Sequence, residues 1–122
     1  MKKQKKPVVS LEHAARFEEL VIMDGTAVWD TERRSLFFVL AGNDELYAAA
    51  DKIYDFRRHM LKGAAFHGRD YLSSGTEKLL KIGINLYNGH SFRYMDPFSV
   101  MVSLDSRNRR LAMEAVRLRF NC

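Results

Sequence analysis

The side chains best able to do chemistry in this chain are four histidines, His13, His59, His67 and His90, and one cysteine, Cys122. No two histidines stand four residues apart, the spacing that sets two imidazoles on one helix face as metal ligands. A metal would have to be gathered by the fold. Asp55, His59, His67 and Asp70 are the set from which such a site could be built, because imidazole and carboxylate suit divalent transition metals. The simpler expectation for these groups is hydrogen bonding to loop backbone and water. Cys122 has no partner for an internal disulfide or a thiolate zinc cage, and at a chain end nothing holds a base beside it, so it is a poor nucleophile.

Phosphate chemistry finds little support. Gly75-Thr76-Glu77-Lys78 places a glycine and a lysine at a helix start, but it lacks the second glycine and the Gly-Lys-Ser/Thr ending of a phosphate-cradling loop. No Gly-x-Ser-x-Gly elbow occurs. The expectation is a protein without catalytic activity, cofactor or resident metal.

Charge is the next signal. The net charge of +5 invites a nucleic-acid reading, since clustered Lys and Arg neutralise phosphates and release counterions. Yet Lys2, Lys3, Lys5 and Lys6 supply four of the 20 basic residues, and without them 16 face 15 acidic ones. Residues 7–104 are mildly acidic, with 11 basic and 13 acidic side chains, whereas 105–122 carry Arg107, Arg109, Arg110, Arg117 and Arg119 against Asp105 and Glu114. Residues 1–9 therefore read as a flexible Lys-rich tail and 10–122 as one helical domain. At 122 residues and 47% hydrophobic side chains there is material for a single core. No run approaches the roughly 20 apolar residues of a membrane span, so a cytoplasmic protein without membrane contact is expected.

Six segments position these side chains. Ser10 as N-cap and Gly25 past the end frame a first helix with His13, Ala14, Phe17, Leu20 and Val21 on one face. Asp30 and Gly42 frame a second, whose continuous run Leu36-Phe37-Phe38-Val39-Leu40 predicts a mostly buried central helix. Asn43 caps a third, expected to reach about Phe56 because of its alanines. Residues 57–72 have no sustained period and read as the longest loop. Ser73 or Ser74 opens a helix ending at Gly89, with Gly83 on its apolar face as a sign of close approach by another helix. Asp96-Pro97 starts a short helix with Phe98, Met101 and Val102 inward, and Asp105 opens the last, with Leu111, Ala115 and Leu118 on one side. With no hairpin signal and no repeat, the expected fold is all-α, a compact single-domain bundle of five to six helices.

The candidate binding surface follows from that placement. Arg107, Arg110 and Arg117 form a stripe on the last helix, where Glu114 at i+4 from Arg110 predicts surface ion pairing. Lys78, Lys81 and Asn85 share the polar side of the preceding long helix, with lysine suited to phosphate and asparagine to adenine. A helix-turn-helix about Gly42 is a poor fit, because its second helix would lead with Asn43-Asp44-Glu45 and repel phosphates. Arg93 and Tyr94, in the short loop after Gly89, are where an exposed aromatic is expected. Trp29 precedes the Asp30 cap, but Arg34 occupies the position where a stapling apolar residue belongs. Its exposure is left open by the sequence.

Three stretches together resemble a known family: Asp30-Thr31-Glu32-Arg33 leading into Phe37-Phe38-Val39-Leu40-Ala41-Gly42-Asn43-Asp44-Glu45-Leu46-Tyr47, then Ile84-Asn85-Leu86-Tyr87-Asn88, and Ala115-Val116-Arg117-Leu118-Arg119-Phe120. The family consists of short Firmicute proteins grouped only as a domain of unknown function. The likeness spans roughly residues 10–120, mainly core and cap positions, and transfers no functional residue. Association of such proteins with phages and conjugative elements implies a role in host takeover, defence evasion or regulation. The leading expectation is a non-enzymatic interaction module acting on a host protein or nucleoprotein complex. The alternatives are direct nucleic-acid binding through the basic tail and the arginine stripe, and an enzyme or metal protein centred on His59 and His67. The apolar breadth of the last helix, with Met113, Val116 and Phe120, leaves a homodimer open.

Overall fold

The computed structural model describes residues 10–66 and 71–122; the Lys-rich tail, His67 and Asp70 lie outside the described residues. In chain order the elements are α1 (Leu11–Asp24), α2 (Thr31–Ala41), α3 (Asp44–Ala48), α4 (Ala50–Ile53), β1 (Tyr54–Asp55), β2 (Met60–Leu61), a 3-10 turn (Gly63–Ala65), α5 (Ser74–Asn88), α6 (Pro97–Val102) and α7 (Ser106–Phe120).

The capping residues act as their chemistry dictates. Ser10 accepts from the His13 amide, Asp30 from Arg33, Asn43 from Leu46, Asp96 from Ser99 and Asp105 from Asn108, so each fills an orphan donor of a first turn. Ser73 is the exception. It is the N-cap of α5, but its hydroxyl donates to the Glu45 carboxylate at 2.8 Å instead of accepting from its own helix.

Helix α2 is the axis of the domain, packed by α1, α5 and α7. From Leu36 through Ala41 every side chain is buried, as a continuous apolar run requires if it is to be helical. The close approach anticipated at Gly83 occurs: a methyl group there would stand 3.3 Å from Val39 and 3.4 Å from Leu36. Past the end of α2, Gly42 has φ −88°, ordinary helical backbone. Glycine is needed there for space, since an added Cβ would meet the Leu111 methyl carbons at 2.4 and 2.7 Å and the His13 ring at 3.1 Å. His13 is itself buried and its Nε2 lies 3.0 Å from the Phe38 carbonyl, as the donor to one of the last carbonyls of α2. Burial holds its pKa below the ordinary imidazole value, only partly opposed by that hydrogen bond, so the ring stays neutral.

Several expectations need correction. The third helix does not reach Phe56: it breaks at Ala49, resumes for one turn, and turns extended at Tyr54. The segment expected to be loop then forms an antiparallel hairpin, Tyr54 paired with Leu61 and Asp55 with Met60. Tertiary packing overrides the helix propensity of the alanines here. Extended backbone lets Tyr54 and Phe56 close on Phe37, with ring centroids 5.0 and 5.6 Å away. The fold is thus mostly helical, seven helices among the described residues, with one small two-stranded sheet, and not purely all-α. On α6, Met101 packs partly buried against the core as expected and Val100 is buried, whereas Phe98 and Val102 are exposed. Among the described residues, Glu114 makes no ion pair with Arg110 or Arg117.

Gly42→Ala is expected to lower stability by about 1–3 kcal/mol, because the methyl group would enter a space already filled by Leu111 and His13. Urea unfolding measures it, and an unchanged midpoint would contradict the packing described.

Candidate functional site

Asp24 is the last residue of α1, and its side chain is 3% exposed. A carboxylate at a helix C-terminus faces the negative end of the helix dipole, so it needs compensation from elsewhere. The fold supplies it from three segments. Gly25, at φ 71°, turns the chain out of α1 and brings Thr26 back so that its hydroxyl donates to Oδ2 at 2.5 Å. The Tyr54 hydroxyl donates to Oδ1 at 2.8 Å, and His59 Nδ1 lies 2.7 Å from the same oxygen. Arg33 Nε stands 3.9 Å from Oδ2 and donates to the Tyr54 hydroxyl oxygen at 2.9 Å. Burial alone would raise the Asp24 pKa, but the hydrogen bonds from His59, Thr26 and Tyr54 hold it below the ordinary carboxylate value. Burial pushes Tyr54 upward, so the phenol stays neutral and serves Asp24 as a donor.

Arg33 ties the surrounding backbone to this centre. Its guanidinium donates to Asp30 at 2.8 Å, holding the start of α2, and to the His59 carbonyl at 3.2 Å, holding the hairpin turn. In that turn Asp55 accepts from the amides of Arg57 and Arg58, both at 3.0 Å, and His59 closes the loop with φ 59°, a conformation that histidine tolerates better than most residues. The His59 side chain is 51% exposed although Nδ1 points inward. The Arg57 and Arg58 guanidiniums are exposed and form no hydrogen bond or ion pair among the described residues.

Several apolar residues near these positions in the chain reach water. Trp29, next to Asp30, is 80% exposed, and Val28, Ile22, Met23 and Met60 are exposed as well. A groove of about 520 Å³ runs beside Trp29 and is lined by Asp30, Glu32, Arg33, Tyr87 and Asn88.

The residues anticipated from sequence fall elsewhere. Arg107, Arg110 and Arg117 are exposed on α7, and Arg93 and Tyr94 are exposed after α5, Tyr94 as expected. Lys78, Lys81 and Asn85 are half-buried; Lys81 lies 5.7 Å over the Phe92 ring and Asn85 donates to the His90 carbonyl. No hydrogen bond or ion pair among the described residues joins the two sets. Gly75 and Arg107 line a groove of about 420 Å³ where α3, α5 and α7 begin, but Asp44, Glu45 and Asp105 line it too, so it suits no phosphate. Among the described residues no three His, Cys, Asp or Glu side chains group as metal ligands: His59 is bound to Asp24 and Asp55 to the turn amides. No helix among them is long and apolar enough to cross a membrane. Sequence reading missed Asp24, Thr26, Arg33 and Tyr54. The available signal was Asp24 itself, an acid placed where the helix dipole favours a cation.

Asp24→Asn is expected to lower stability at pH 7 by about 1–3 kcal/mol, since an acceptor of three hydrogen bonds becomes neutral. Because the folded pKa lies below the unfolded one, the unfolded chain takes up the proton first. The contribution is complete above the unfolded value near 3.8 and is lost as pH falls through the folded value. Urea unfolding from pH 7 downward should therefore show a steeper acid loss for the native protein than for the variant, and parallel curves would contradict it.

Comparison with known proteins gives one match. The model of the Family of unknown function (DUF6075) covers residues 3–122. No curated protein and no solved structure matches. The chain belongs to that family.

Proposed function

We propose that this member of DUF6075 is a non-enzymatic interaction module that binds a protein partner through the face around Trp29. The observation that carries the reading is the exposure of the single tryptophan on backbone held from both sides, by the Asp24 centre before it and by the Asp30–Arg33 pair after it. Exposing a large aromatic to water is unfavourable, whereas a rigid one lowers the entropy lost on binding, and Trp and Arg dominate interface hot spots. Val28, next to Trp29 in the chain, is exposed as well, and Arg57 and Arg58 add positive charge that is unpaired among the described residues. The partner that fits has an apolar cleft for Trp29 and carboxylates for the two arginines. In the cytoplasm of a bacterium carrying a mobile element, such a module would inhibit or regulate a host protein or nucleoprotein complex.

Direct nucleic-acid binding through Lys2 to Lys6 and Arg107, Arg110 and Arg117 is the reading to set against it, because those arginines are exposed. The one tryptophan lets a single protein sample serve both. Partner capture from a bacterial host, followed by titration of Trp29 fluorescence with the purified partner, should give a blue shift, and Trp29→Ala should weaken binding about 30-fold without changing the unfolding midpoint. Equal binding by Trp29→Ala would overturn the reading. Tight, salt-steep binding of DNA or RNA, abolished by deleting residues 1–6 or by Arg107→Ala, Arg110→Ala and Arg117→Ala, would transfer the function to the alternative.

A further inference from the structure

We infer that His59 is a phosphoryl-acceptor site, its Nε2 taking a phosphoryl group from a donor borne by another protein. The inference is independent of the Trp29 reading, since it needs only the imidazole and its immediate partners. A buried carboxylate 2.7 Å from Nδ1 keeps the proton of the neutral ring on that nitrogen, so the lone pair resides on Nε2. Nε2 makes no hydrogen bond among the described residues, and the side chain is 51% exposed. The same carboxylate, hydrogen-bonded by Thr26 and Tyr54, cannot swing away from the ring without losing those bonds.

Local charge selects the electrophile. Arg57 and Arg58 precede His59 in the chain and line a shallow depression with Asp55, whose Oδ1 accepts from both of their backbone amides. Two guanidiniums with no ion pair among the described residues suit the oxygens of a phosphoryl group. The third cation, Arg33, is turned inward to the His59 carbonyl, Asp30 and Tyr54. With half of its side chain in contact with solvent, the His59 ring stands at the surface. Open surface cannot enclose a small substrate, but it is accessible to a phosphoryl group presented from another protein's active site.

The step balances without oxidant or metal. The Nε2 lone pair attacks phosphorus, the Nε2–P bond forms, and the bond from phosphorus to the donor's leaving atom breaks with its electron pair. The ring becomes an imidazolium that keeps its Nδ1 proton, and the Asp24 carboxylate stabilises that positive charge. With phosphoramidate as donor the leaving group is ammonia.

The test uses phosphoramidate and the intact protein, with alkaline quenching and peptide mass spectrometry to follow each histidine. His90 is an exposed internal reference without a carboxylate partner among the described residues. His59 is expected to be phosphorylated first, by at least about tenfold over His90, and Asp24→Asn to bring it down towards the His90 rate. Tyr54→Phe, which removes one donor to Asp24 but leaves the His59 contact, should retain the preference. Labelling of any other histidine as fast as His59, or a folded Asp24→Asn protein labelled at the native rate, would overturn the assignment. Should Asp24→Asn fail to fold, the ranking of histidines in the native protein decides alone.

Discussion

Helix α2 carries six consecutive buried residues, Leu36 through Ala41, and a helix that is apolar all round must be covered on every side. Each fully buried aliphatic or aromatic side chain contributes about 1.5–3 kcal/mol, so this one run outweighs any surface interaction in the molecule. The requirement recruits α1, α5 and α7 as walls and fixes where glycine is needed. Gly83 lets α5 approach Val39, and Gly42 makes room for Leu111 and His13 where α7 and α1 converge on the end of α2. Arg119 fastens the far end of α7, donating to the Leu86 carbonyl at 2.8 Å and to Thr31 at 3.3 Å.

The same constraint creates the candidate site. To cover Phe37, the chain after α4 leaves the helix and lays Tyr54 and Phe56 against it, and the hairpin that results carries His59 back towards the end of α1. Asp24 is then enclosed by residues that arrived for packing reasons. A carboxylate buried at the wrong end of a helix dipole is tolerated because three hydrogen bonds and the Arg33 guanidinium converge on it. Its return is rigidity: the Trp29 segment and the His59 turn are both anchored to one buried group. A surface meant to recognise a partner benefits from that, since little freedom remains to be lost on binding.

Helix positions were legible from the sequence because they rest on neighbours. Ser10, Asp30, Asn43, Asp96 and Asp105 each bond an amide three residues on, and the faces of α1, α5 and α7 repeat at helical spacing. The central burial of α2 was equally plain in its unbroken apolar run. By contrast, Phe98 and Val102 face solvent although their pattern is apolar, because periodicity says which residues share a face and not what covers it. The hairpin at Tyr54 went unseen because alanine-rich sequence favours helix locally, and only the distant Phe37 ring makes extended backbone better.

By itself the sequence determined α1, α2, α5, α6 and α7, the caps at Ser10, Asp30, Asn43, Asp96 and Asp105, the buried axis and the lack of any local catalytic or metal motif, all of which depend on residues within a few positions of one another. Only the tertiary structure decided that Asp24, Thr26, Arg33, Tyr54 and His59 meet, that Trp29 stands in water, and that His59 has a carboxylate behind it. The reason is physical. Hydrogen bonds between residues up to 35 positions apart form only after the apolar faces have closed around α2, and no local pattern encodes which polar groups that closure brings together.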